Sequence, residues 1–122
     1  MKLLLAMILA LAGAPAMAQY ASLLRDSAAQ RFDEEDLRIF MDTARKTLAE
    51  GAAGQTASWE NPKTRARGEM TVLRTYEYKG LPCKEVKVHN EAQGRKGTNT
   101  FNMCEKDGKW RLLSGSQAQK AK

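Results

Sequence analysis

Apolar residues follow three different rhythms along this chain, and each predicts a different element. Leu3 to Leu11 form a continuous apolar run behind Lys2, and Pro15 precedes Ala16-Met17-Ala18. A basic start, a short apolar stretch and small residues before Gln19 predict a secretory signal peptide over residues 1–18. The run is too short for a spanning helix, which needs about 20 apolar residues. No cysteine stands at the cleavage point, so a lipid-anchored N-terminus is not expected. Residues 19–31 are a mixed lead-in, in which Leu23 and Leu24 either start a short helix or belong to a tether.

The second rhythm is helical. Leu37, Phe40, Met41, Ala44 and Leu48 recur at the spacing that places them on one face, which predicts a helix from Phe32 to Gly51 with a packing stripe. Asp33 is the expected N-cap, and Glu34, Glu35 and Asp36 set negative charge at the positive end of the helix dipole. Phe32 and Leu37 suit a hydrophobic staple across the cap. Gly51 suits the stop, and residues 51–55 form a linker of small residues.

The third rhythm is alternation. It begins near Ser58, pauses at the Asn61-Pro62 turn, and resumes as strands over Met70–Tyr78, Cys83–Asn90, Thr98–Glu105 and Lys109–Ser114. Lys79 to Pro82 reads as a turn, Glu91 to Gly97 as a polar loop, and Asp107-Gly108 as a two-residue hairpin turn. Antiparallel partners have residue numbers of constant sum. Placing Cys83 opposite Cys104 across the central loop sets Lys84 opposite Met103 and Val86 opposite Phe101. The Asp107-Gly108 turn sets Met103 opposite Leu112 and Glu105 opposite Trp110. A turn centred on Gly80-Leu81 sets Leu73 opposite Val88. These registers predict a core face of Leu73, Val86, Val88, Phe101, Met103, Trp110 and Leu112. They predict an outer face carrying Val72, Tyr76, Tyr78, Cys83, His89, Cys104 and Leu113. Directly opposed residues lie within disulfide reach, so a Cys83–Cys104 bridge is expected in an exported chain. In the chain-entropy model it contributes about 3 kcal/mol.

Length beyond the signal allows one domain, 32–115, followed by a polar, disordered tail at 116–122. The formal net charge is +6, with basic residues most evident at Lys63, Arg65 and Arg67. That balance is that of a soluble basic surface, and it also suits an acidic partner, anionic lipid or anionic glycan. No recognition motif for nucleic acid is present. His89 is the one histidine and has no nucleophile signature near it in sequence, so it reads as a solvent-facing sheet residue. There is no Cys-x-x-Cys pair, phosphate loop or dinucleotide fingerprint, and no metal-ligand spacing. Met41, Met70 and Met103 read as core filling. Trp59, Tyr76 and Tyr78 are either partly buried or part of a binding surface.

The string Trp59-Glu60-Asn61-Pro62-Lys63-Thr64, with Gly68, Tyr76, Gly80-Leu81-Pro82-Cys83 and Cys104-Glu105-Lys106-Asp107-Gly108-Lys109-Trp110, resembles the C-terminal domain of the bacterial seventeen-kilodalton surface-antigen family. The resemblance runs from the helix through Ser114. It implies an exported cell-envelope protein without catalytic function. It marks Trp59, Asn61, Pro62, Gly68, Cys83, Cys104, Asp107, Gly108 and Trp110 as framework positions. The chain departs from the pattern in lacking a lipoprotein cysteine and a glycine-rich membrane segment, and in carrying Arg65-Ala66-Arg67 where a glycine-rich turn is common. A periplasmic or secreted form is therefore expected over outer-membrane attachment.

Together these readings predict an α+β domain: an N-terminal amphipathic helix on a four- or five-stranded antiparallel meander with one disulfide. The expected function is a non-enzymatic module, without cofactor, that binds an envelope protein or other envelope component. Tyr76, Tyr78, Arg65 and Arg67 are its expected binding surface. The competing reading is a periplasmic small-ligand carrier with a pocket between helix and sheet, and a hydrolase ranks last.

Overall fold

The computed structural model describes residues 23–24 and 27–113. The expected signal peptide and the tail at 116–122 lie outside them. A 3-10 turn, Ala29–Arg31, precedes one helix, α1 (Glu34–Glu50). Five strands follow: β1 (Thr56–Glu60), β2 (Arg67–Tyr78), β3 (Leu81–Ala92), β4 (Arg95–Lys106) and β5 (Lys109–Leu112). They form one antiparallel sheet in chain order. The class is α+β, with the helix ahead of the strands in sequence.

Asp33 caps α1 and accepts the Asp36 N–H at 2.7 Å, while Asp36 Oδ2 accepts the Asp33 N–H at 2.9 Å. That reciprocal pair satisfies two helix-end donors. Phe32, expected as a staple across the cap, packs against the core. Its ring lies 5.6 Å from Phe40 and 5.1 Å from Trp59, closing an aromatic triangle under the helix. At the other end Gly51 is extended, and a Cβ there would meet Val72 Cγ2 at 2.9 Å, so close packing is what selects glycine. The Lys84 ammonium donates to the Gly51 carbonyl at 2.7 Å, a cation at the negative end of the helix dipole. Burial lowers its pKa, and its chain lies over Trp110.

Three tight turns set the meander. Lys79-Gly80, Gln93-Gly94 and Asp107-Gly108 all have positive φ at both positions, as a two-residue turn matched to strand twist requires. The polar loop expected at Glu91–Gly97 is therefore only Gln93-Gly94, and β3 and β4 each run twelve residues. The β3–β4 and β4–β5 registers are those expected, including Cys83 opposite Cys104 and Met103 opposite Leu112. The disulfide is formed, with Cα atoms 4.1 Å apart.

The β2–β3 register is different. The turn lies at Lys79-Gly80, so Tyr78 faces Leu81, and a bulge between Val72 and Arg74 shifts the pairing again. Met70, not Leu73, is opposite Val88. The extra residue reverses the side-chain alternation of half the strand. Val72 is consequently fully buried and Leu73 is 44% exposed, the reverse of the sequence reading. Leu112, expected in the core, is at the sheet edge and 37% exposed.

The core lies between one sheet face and the segments packed on it. Phe40, Met41, Ala44 and Leu48 of α1 join Trp59, Met70, Val72, Val86, Val88, Phe101 and Met103 in one cluster. The helix covers β1 and β2, and the 3-10 turn lies against β3. Leu23 and Ala28 are buried in the same cluster, so this part of the lead-in is core rather than tether. Phe40, Val72, Val88 and Met103 have no exposure at all, so the interior between helix and sheet is packed. The concavity of about 510 Å³ beside the end of α1 and β1 is a surface one, with Lys46, Glu50 and Gln55 in its lining.

Candidate functional site

The outer sheet face has two chemically distinct ends. Arg67 and Tyr76 are nine positions apart on β2, or about 30 Å at strand rise. The four residues expected to form one surface therefore divide: Tyr76 and Tyr78 lie at one end, Arg65 and Arg67 at the other.

The tyrosine end is largely paired within the sheet, although Arg74 Nη2 is buried without a hydrogen-bond partner. Tyr76 Oη donates to Asn102 Oδ1 at 2.7 Å across two strands. The Arg74 guanidinium stacks 3.9 Å over the Tyr76 ring and reaches Glu85 at 3.3 Å. Burial pushes the Tyr76 phenol above its usual pKa, with Glu85 adding to the shift and Arg74 opposing it. Tyr76 is also opposite Cys83, beside the disulfide. Lys79 covers Tyr78. Trp59 is 4% exposed and belongs to the core. Its cross-strand partner is Gly68, and a Cβ on Gly68 would meet Trp59 Nε1 at 2.6 Å. The indole thus lies directly over a glycine backbone, with Nε1 buried and without a hydrogen-bond partner.

The basic end is built from two anchored loops. The first, residues 61–66, is held from inside by Asp36. Its buried carboxylate accepts Asn61 Nδ2 at 2.7 Å and Thr64 Oγ1 at 2.6 Å while still completing the helix cap. Burial alone raises the carboxyl pKa, but the hydrogen bonds from Thr64, the Asp33 N–H and Asn61 outweigh it and hold the group below its ordinary value. Asn61 Oδ1 accepts the Lys63 N–H at 3.1 Å, and Arg65 N–H bonds the Asn61 carbonyl at 2.7 Å. That closure holds Arg65 at φ 64°. The second loop is the Gln93-Gly94 turn. Gln93 Nε2 donates to the Arg31 carbonyl at 3.3 Å, and Ser27 Oγ donates to the Lys96 carbonyl at 3.4 Å.

Between these loops is a concavity of about 540 Å³, lined by Arg65, Arg67, Arg95 and Lys96 against Glu60 and Glu91. Glu91 is its hub. It accepts Arg67 Nε at 2.8 Å, approaches His89 Nε2 at 3.2 Å and faces Lys96 Nζ at 3.7 Å. The Arg67 hydrogen bond, then the His89 one, lowers its pKa to about 2, and Glu91 in turn raises that of Arg67. Among the described residues, neither Arg65 nor Arg95 pairs with a carboxylate. Two guanidiniums therefore border the groove with their donors available.

His89 Nδ1 also meets Thr98 Oγ1 at 2.7 Å, so a hydroxyl, an imidazole and a carboxylate stand in line. This is a cross-strand ladder on an open sheet face. Its carboxylate is already neutralised by Arg67 and Lys96, and β-ladder pairing occupies the neighbouring backbone. Arg95 and Lys96 are the members of the groove that sequence reasoning missed. They sit within a stretch read as a polar loop, and nothing local shows that the turn folds back to the Asn61-Pro62 loop.

No family model, curated protein or solved structure matches this chain. Among the described residues, no helix is long and apolar enough to cross a membrane. No group of three His, Cys, Asp or Glu side chains is placed to hold a metal ion among those residues.

Proposed function

We propose that this chain is an exported, non-enzymatic cell-envelope module, periplasmic and similar to the surface-antigen domain, that binds an envelope protein or other envelope component through its basic end. The observation that carries this reading is the groove between two anchored loops, where, among the described residues, Arg65 and Arg95 stand without carboxylate partners. Cations on anchored loops attract an acidic partner without the cost of ordering the loop backbone. The filled core favours this module over a small-ligand carrier, since the helix stripe and sheet leave their shared space to packed side chains. The chemistry on the outer face favours binding over catalysis, because Glu91 is committed to Arg67.

The surface-antigen resemblance gains physical sense from the framework positions. Trp59 packs on Gly68, Asn61 anchors a loop, Cys83 and Cys104 bridge two strands, and Asp107-Gly108 turns a hairpin. The test is affinity capture with the 19–122 segment, purified from an oxidising compartment, against its own envelope fraction. A reproducible envelope component that elutes with salt is the expected result. Co-purification of a small apolar molecule, with nothing retained from the envelope, would refute the module.

A further inference from the structure

We infer that the groove between the 61–66 loop and the Gln93-Gly94 turn is a binding site for a single phosphate group, carried as a phosphomonoester. This inference rests on the basic end being the binding surface, and it assigns the ligand's chemistry. Four cations line the groove and two carboxylates oppose them. The carboxylates are partly spent internally, since Glu91 serves Arg67 and Lys96. Among the described residues, Arg65 and Arg95 remain as planar donor forks, the geometry that recognises oxyanions in pairs of hydrogen bonds. A carboxylate ligand brings one negative charge and two oxygens, enough for one guanidinium. A phosphomonoester brings a charge of about −1.5 to −2 and three acceptor oxygens, enough to bridge both. The residual charge of the lining matches that ligand.

The surroundings favour an isolated group over a membrane surface. The helix N-terminus stands beside the 61–66 loop, and it presents Glu34 and Glu35, with Glu35 3.4 Å from Lys63. A flat anionic bilayer brought against this end would meet those carboxylates as well as the arginines. A single phosphate entering the groove would not. The site is also rigid from both sides. Asp36 anchors one wall through Asn61 and Thr64, and the Arg31 and Lys96 carbonyls anchor the other.

The experiment is a backbone amide NMR titration of the 19–122 segment with inorganic phosphate, with glucose 6-phosphate and with phosphatidylglycerol vesicles. Both soluble phosphates should shift amides at 61–67 and 92–97, with affinity falling as salt rises. Arg65→Gln with Arg95→Gln should weaken this about tenfold or more, while Lys46→Gln with Lys109→Gln, equal in charge change, should not. An unchanged spectrum of each variant away from the groove excludes misfolding as the cause. Binding of inorganic phosphate but not glucose 6-phosphate refutes the phosphomonoester. Shifts spread over all basic residues, or vesicle binding without any phosphate response, overturn the inference. Envelope capture that survives the arginine variants, with no phosphate binding, overturns it too while leaving the module intact. Phosphate binding with no envelope capture does the reverse.

Discussion

Replacing Asp36 tests how the loop that carries Arg65 is held. Asp36→Ala removes the acceptor of three donors: Asn61 Nδ2, Thr64 Oγ1 and the Asp33 N–H. Thr64 and Asp33 lie at the surface and can turn to water, so each loss costs about 0.5–1 kcal/mol. Asn61 is 1% exposed and cannot, so its stranded amide costs about 1–3 kcal/mol. The sum is about 3 kcal/mol, a large fraction of a small domain's stability. Asp36→Asn should cost less, about 1–2 kcal/mol, because its carbonyl still accepts from Asn61 and Thr64 and only the cap contact and the charge are lost. Urea unfolding at pH 7 reads both, as a fall in midpoint at unchanged slope. Asp36→Ala and Asn61→Ala should be non-additive by about 1–2 kcal/mol, since each removes the same bond. The pH dependence has a definite sign. The folded-state pKa of Asp36 lies below its ordinary 3.8, so its contribution is complete above that value and is lost as pH falls through the folded one. Asp36→Asn should flatten stability over that acid range. Full additivity with Asn61→Ala, or a cost for Asp36→Ala below about 0.5 kcal/mol, would refute the role assigned to this carboxylate.

Three further outcomes follow from the packing and charge. Cys83→Ser with Cys104→Ser should lower stability by about 3 kcal/mol in urea, and intact mass after alkylation of the parent protein should show no free thiol without reductant. Gly68→Ala should cost about 2 kcal/mol or more and quench the slow amide exchange of β1, because a Cβ would strike the His89 carbonyl and Trp59 Nε1. Glu91, with pKa about 2 against an ordinary 4.5, contributes fully above pH 4.5 and loses its pairing as pH falls toward 2. An NMR titration of its side-chain carboxyl should show that midpoint in the parent and a higher one, still below the ordinary value, in Arg67→Gln, where His89 and Lys96 remain.

Much of the domain was legible because its signals are local. The cap at Asp33, the acidic first turn and the apolar stripe define α1 within one segment of chain. Asp107-Gly108 determines one register by counting, and placing the two cysteines opposite each other across the loop at 91–97 supplies the other. The site was legible in pieces. Arg65 and Arg67 were singled out as basic residues near a turn, yet their companions are Arg95 and Lys96 from another hairpin, and not Tyr76 and Tyr78 from the same strand. The tyrosines drew attention as exposed aromatics, but Arg74, Asn102 and Lys79 occupy them.

Caps, periodicity and turn residues act over a few positions, so the chain alone specified the helix, the strands after it and the β4–β5 pairing at Asp107-Gly108, while its β2–β3 pairing was out of register. Tertiary structure decided which way β2 faces, what Asp36 does and where the basic residues gather. A bulge at Leu73 leaves no mark in an alternating pattern, since Val72 and Leu73 are equally apolar and only contact with the helix side selects Val72. Asp36 looks like one of three dipole-facing acids until Asn61 and Thr64 arrive from 25 and 28 residues away. The groove exists only because the sheet brings two loops to the same end, and electrostatic fields add in space rather than along the chain.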